Sequence, residues 1–198
     1  MSRGFTLIEL LVAMTLLALM SAVLFGGLRL GGSAAARVEA RAEALEDLRL
    51  IQSFLRGQLT SAQPVIWIVD REPTVAFDGR PDGIDFVGEL PAHLAAGGRQ
   101  AIRIQAEPHG ALSLTWRPLG GKEQAFAFED GRRHRLADGL GKLRFDYFGQ
   151  RPIDSPPQWH DVWQGADGLP DLVRVRSEDE RRSWPELVIA PRLDPGLR

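Results

Sequence analysis

The sequence predicts an α+β chain: one long N-terminal helix, membrane-spanning in its first half, packed on a mainly antiparallel β body. Three observations predict it. Residues 5–28 form a 24-residue run that is almost wholly apolar. Leu45, Leu48, Ile51, Leu55 and Leu59 then recur at three- and four-residue spacing. Beyond Pro64 the apolar period falls to two, and Asp-Gly pairs punctuate the chain.

The apolar run comes first. A helix of that length reaches ~36 Å, enough to cross a hydrocarbon core of ~30 Å. Arg3 on its N-terminal side places the N-terminus in the cytoplasm and the body outside it. A secretory signal is the competing account, with a small-residue cleavage site near Ala22 or Gly27. The length of the run opposes it, and so does Glu9 within the run. A carboxylate at membrane depth costs roughly 2.5–3.5 kcal/mol and ordinarily has a partner and a role.

Gly4-Phe5-Thr6-Leu7-Ile8-Glu9, continued by Leu10-Leu11-Val12-Ala13, resembles the processing motif of type IV pilins and pseudopilins. The resemblance implies cleavage by a prepilin peptidase between Gly4 and Phe5, and N-methylation of Phe5. It makes Glu9 the residue that sets helix register during filament assembly. The chemistry suits these positions. Gly4 offers a small, flexible scissile residue. Glu9 lies about one helical turn from the amine that cleavage frees. A neighbouring subunit's amine neutralises such a carboxylate and fixes the register of packing.

Residues 34–59 read as an amphipathic helix, with Phe54 beside the leucine stripe and Arg41, Glu43, Glu46, Asp47 and Arg56 mostly elsewhere. Glycines at 26, 27, 31 and 32 are expected to loosen the helix where it leaves the bilayer. Pro64 ends it. The stripe is expected to pack on the chain's own β structure while another side meets neighbouring helices.

Strands are expected at 65–69, around Ile102 and Ile104, across Leu112, Leu114 and Trp116, and at Phe126-Ala127-Phe128. Others follow at Leu143, Phe145 and Tyr147, at Val173 and Val175, and at 187–189. Asp-Gly pairs at 78–79, 82–83, 130–131, 138–139 and 167–168 are expected to turn the chain. Residues 151–170, rich in proline, read as a long surface excursion.

Within the pilin class the chain is most similar to the J-type minor pseudopilins of type II secretion. The supporting segments are Leu143-Arg144-Phe145-Asp146-Tyr147, Trp159 with Trp163, and Leu169-Pro170-Asp171-Leu172-Val173-Arg174-Val175. The absence of cysteine agrees, because type IV pilins commonly carry a C-terminal pair. The similarity implies a pilin-like fold with a leader at 1–4, an assembly helix at 5–30, its amphipathic continuation at 31–62 and a periplasmic domain at 63–198. It also implies I-type and K-type minor pseudopilins as partners at a filament tip, with the H-type a further candidate, alongside the major pseudopilin. The setting is the inner membrane, and the energy comes from a cytoplasmic ATPase. A minor pilin of a type IV pilus or DNA-uptake filament is the alternative.

No catalytic residue is expected. With 24 basic and 26 acidic side chains the net charge is −2, which gives no overall pull toward nucleic acid. Arg132-Arg133-His134-Arg135 is the one basic cluster; solvent or an acidic partner suits it better than DNA phosphates. Histidines 93, 109, 134 and 160 show no metal-ligand spacing. His160-Asp161 lacks a nucleophile, and Gly120-Gly121-Lys122 lacks the rest of a phosphate loop. Asp78, Asp82 and Asp85 are the only weak calcium candidates, and some relatives in the class bind that ion. Two Asp-Gly turns explain the cluster equally well. No cofactor is expected.

Overall fold

The computed structural model describes residues 6–69, 72–95, 97–120, 126–151, 155–164, 168–179 and 184–191. The chain divides into two compact units, Met1–Leu48 and Arg49–Arg198. A single helix, α1 (Leu7–Thr60), continues unbroken through all four glycines that were expected to loosen it. Each costs ~1 kcal/mol against alanine, and their leucine- and alanine-rich flanks sustain the helix. It stops before Pro64, where Gln63 leaves α1 and donates its N–H to the Val87 carbonyl at 2.8 Å.

The strands follow in order: β1 (Ile66–Val69), β2 (Glu72–Val75), β3 (Phe77–Arg80), β4 (Gly83–Glu89), β5 (Arg99–Ala106) and β6 (Leu112–Pro118). Then come β7 (Arg132–Ala137), β8 (Leu143–Gly149), β9 (Gln158–His160), β10 (Leu172–Ser177) and β11 (Leu187–Ile189). All pair antiparallel, in a β1–β2 hairpin, a five-stranded sheet ordered β3-β4-β5-β6-β7 and a four-stranded sheet ordered β11-β10-β8-β9. Alternation puts Ile84, Phe86, Ile102, Ile104 and Leu114 on one covered face of the first sheet. Phe145, Tyr147, Val173, Val175 and Ile189 do the same for the second. At the end of α1, Leu55 and Leu59 are fully buried. Gln52 and Arg56 donate to the carbonyls of Pro185 and Val188.

Two segments depart from the sequence expectation. Phe126-Ala127-Phe128 is not a strand. The two rings stack on each other with centroids 6.2 Å apart, Phe126 also stacks on Trp67, and Phe128 lies under the Arg103 guanidinium at 4.3 Å. The i, i+2 spacing is a lid over the outer face of the first sheet, not a ladder. Asp78-Gly79 is not a turn either. It lies inside β3, and the turn is Pro81-Asp82, between the paired Arg80 and Gly83.

Gly79 has a different task. A Cβ there would lie 2.5 Å from the Tyr147 ring, so the missing side chain lets β8 approach β3. The Tyr147 hydroxyl, 2.9 Å from both the Arg80 and Gly83 carbonyls, donates into the base of the β3–β4 turn. Phe145 N–H donates to the Pro81 carbonyl at 2.9 Å. Burial holds the Tyr147 phenol well above its usual range, so it remains a donor. The outer side of Gly79 exchanges both backbone hydrogen bonds with Trp163, at 3.0 and 2.9 Å. Trp163 itself is buried against Gly149. The expected surface excursion thus returns to seal the edge of β3.

The outer face of the second sheet carries a buried acid. Asp146 is 2% exposed and receives Arg176 Nε at 2.7 Å, Arg174 Nε at 3.0 Å and Arg144 Nε at 3.2 Å. Burial alone would raise its pKa, but the hydrogen bonds from Arg176 and Arg174 reverse this, and the carboxyl titrates below its usual range.

Two outcomes follow. Gly79→Ala overpacks the Tyr147 contact and costs about 1–3 kcal/mol, read as an earlier thermal midpoint by tryptophan fluorescence of the full chain in detergent; an unchanged midpoint removes the close approach as a constraint. Because the Asp146 pKa is depressed in the fold, its contribution is complete above the unfolded value of about 3.9 and disappears as pH falls through the folded value. Stability therefore declines below about pH 4. Asp146→Asn flattens that decline and costs on the order of 2 kcal/mol at neutral pH, less than a fully buried pair because the arginines reach solvent.

Candidate functional site

The N-terminal segment holds the residues that the processing motif singles out. Gly4 and Phe5 lie outside the described residues. Thr6 immediately precedes α1, and its carbonyl accepts from Glu9 N–H at 3.1 Å and Leu10 N–H at 3.3 Å. Its hydroxyl donates to Glu9 Oε2 at 3.4 Å. Thr6 and Glu9 have the spacing of a capping box, a signal in the sequence that the motif reading left unused. Glu9 is the acidic side chain of the first turn, where the helix dipole favours a negative charge.

From Leu7 to Phe25 the helix is long and apolar enough to cross a membrane, with a mean hydropathy of 2.4, and its side chains are not buried among the described residues. Leu7, Ile8, Leu10, Leu11, Met14 and Leu17 all lie open. Such a surface is stable only against lipid or other apolar helices. Glu9 stands on this exposed apolar surface, with the Thr6 hydroxyl beside it. Farther along α1 the leucine stripe changes environment: Leu45 is exposed, Leu48 and Ile51 are half-buried, and Leu55 and Leu59 are in the core.

The remaining candidates are placed as follows. Asp85 is fully buried on the outer face of the first sheet, gripped by two guanidinium forks. Arg80 approaches at 3.0 and 3.2 Å and Arg103 at 2.7 and 2.9 Å. Asp78 pairs with Arg80 at 2.9 Å and accepts from Gln164 at 2.6 Å, while Asp82 stands 4.0 Å from Arg80. The acids at 78 and 85 thus spend their oxygens on arginine and glutamine. Among the described residues no three His, Cys, Asp or Glu side chains are grouped to hold a metal.

Arg132, Arg133, His134 and Arg135 form most of β7, an edge strand. Arg133 pairs with Glu107, and Arg135 with Asp138 at 3.1 Å. Hydrogen bonds from Ser113 and Arg133 hold the Glu107 carboxyl below its usual range. His160 packs edge-on against Trp163 with ring centroids 5.7 Å apart, and Asp161 pairs with Arg144 at 2.8 Å. Gly121 and Lys122 lie outside the described residues.

Comparison with known proteins agrees at both scales. Residues 1–25 match the prokaryotic N-terminal methylation motif. Over 195 residues the chain is 30% identical to type II secretion system protein J of Xanthomonas campestris pv. campestris, an alignment spanning 96% of this chain and 92% of that protein. The match extends through the β body, far beyond the motif common to all pilins, and favours secretion over a pilus or DNA-uptake filament. A methylation-type head, an uncovered apolar helix and nearly end-to-end similarity lead to one conclusion: the chain belongs to the protein J family of type II secretion, the J-type minor pseudopilins.

Proposed function

We propose that this pseudopilin is cut between Gly4 and Phe5, N-methylated on Phe5, and built into the tip of a periplasmic pseudopilus with I-type and K-type minor pseudopilins. Residues 1–4 are the leader, 5–30 the membrane and assembly helix, 31–62 its continuation and 63–198 the periplasmic domain. Arg3 keeps the N-terminus cytoplasmic. Cleavage beside Gly4 leaves the apolar helix attached, so maturation changes the chemistry of the N-terminus without releasing the protein.

One observation carries this reading: the described span Leu7–Phe25 contains a single charged residue, Glu9, in its first turn. In lipid that carboxylate costs roughly 2.5–3.5 kcal/mol. A sister helix that brings its freed Phe5 amine alongside removes most of this cost. Only one axial offset between helices achieves it, so neutralisation also selects the register. The open leucines around Glu9 supply the packing surface once register is set.

The intact mass of the protein extracted from membranes is expected to correspond to a chain that begins at Phe5 and carries one added methyl group. Any other start sinks the assignment. Glu9→Ala should be processed normally yet enter the filament poorly, measured by cross-linking to the major pseudopilin; undiminished incorporation removes Glu9 from assembly. The full chain in detergent should co-purify with I-type and K-type subunits as a defined complex, whereas a monomer in every mixture argues against the tip role.

A further inference from the structure

Most sheet edges in the body are closed. The outer side of β3 exchanges hydrogen bonds with Trp163, Arg56 of α1 donates to the Val188 carbonyl of the three-residue β11, and β9 is also only three residues long. β7 differs. Five of its six residues, all but Leu136 at a register shift, pair with β6 on one side, and among the described residues no backbone group is seen to pair with the other. An edge of this length is a template for another strand.

The side chains decide which strand it accepts. Arg133 and Arg135, beside Thr115 and Ser113, already pair with Glu107 and Asp138. Arg132 and His134 stand on the opposite face, beside Trp116 and Leu114, and both are exposed. A second copy docked antiparallel would set arginine against arginine or histidine, and like charges directly opposite destabilise a pair. The same run that forbids self-pairing favours carboxylates.

We infer that β7 is a strand-addition site for an extended segment of a partner protein whose acidic side chains alternate, on the face that meets Arg132 and His134. Main-chain hydrogen bonds supply the affinity, and the charge pattern supplies the choice of partner. The edge keeps this chemistry whichever filament the chain enters, so the inference does not depend on the tip assignment.

The test uses the full chain in detergent and two labelled octapeptides, one alternating valine with glutamate and the other valine with lysine. The glutamate peptide is expected to bind at least about tenfold more tightly than the lysine peptide. It should also slow amide hydrogen exchange within residues 132–137. Arg132→Glu combined with His134→Glu should weaken binding about tenfold or more with exchange in β8 and β10 unchanged, while Arg132→Lys with His134→Lys retains it. Absence of binding, binding without protection of β7 amides, or equal competition by duplex DNA would each overturn the inference, the last by revealing a plain polyanion site.

Discussion

The two sheets of the body are held at a fixed spacing by one close approach. The Tyr147 ring occupies the space that a side chain at position 79 would fill, and its hydroxyl reaches two carbonyls at the base of the β3–β4 turn. A sheet face covered only by apolar side chains slides at little cost, because the hydrophobic effect has no direction. A buried phenol with a required acceptor does not. The Phe145 amide and the Trp163 backbone bonds fix the same corner from two other directions. Most of the second sheet's placement follows from this corner.

Each sheet also has an outer face with only partial cover, and both use the same device. One carboxylate, Asp85 or Asp146, is buried there beneath two or three arginines. The planar guanidinium makes this possible. It forms paired hydrogen bonds, spreads its charge, and lays its flat face on an aromatic ring, as Arg103 does on Phe128 and Arg174 on Trp159. Lysine offers no such fork, and substitution by lysine would leave carboxylate oxygens short of donors. The arginine-rich composition thus has a structural use.

The body and the N-terminal half of α1 answer to different solvents. Within Arg49–Arg198 most of the described large apolar side chains are buried or half-buried, with Leu50, Ile66 and Ile68 among those left exposed. Along Leu7–Phe25 the large apolar side chains stand exposed among the described residues. Leu45 and Leu50, exposed on the same helix that buries Leu55 and Leu59, lie between these regimes. One helix thus carries both core residues and an exposed apolar span long enough to cross a membrane. Glu9 is the one charged side chain of that span, in the first turn of the helix.

By itself the sequence determined the segments whose physics is local. A long apolar run over residues 5–28, the hexapeptide ending at Glu9, the leucine stripe and the alternation in β5, β6, β8 and β10 were all legible. Each depends only on spacing along the chain. β2, β3, β4, β7 and β9 were not legible. β4 is covered on both sides and lacks alternation, and β7 is an edge whose charges hide it. Phe126-Ala127-Phe128 imitated a strand because period two also describes two rings aimed at one surface. The sequence placed Asp78, Asp82 and Asp85 together, but only the tertiary structure revealed that arginines from β3 and β5 claim Asp85. Which partner a buried charge takes is decided across strands, by pairs as far apart as 85 and 103, and no local pattern records that choice.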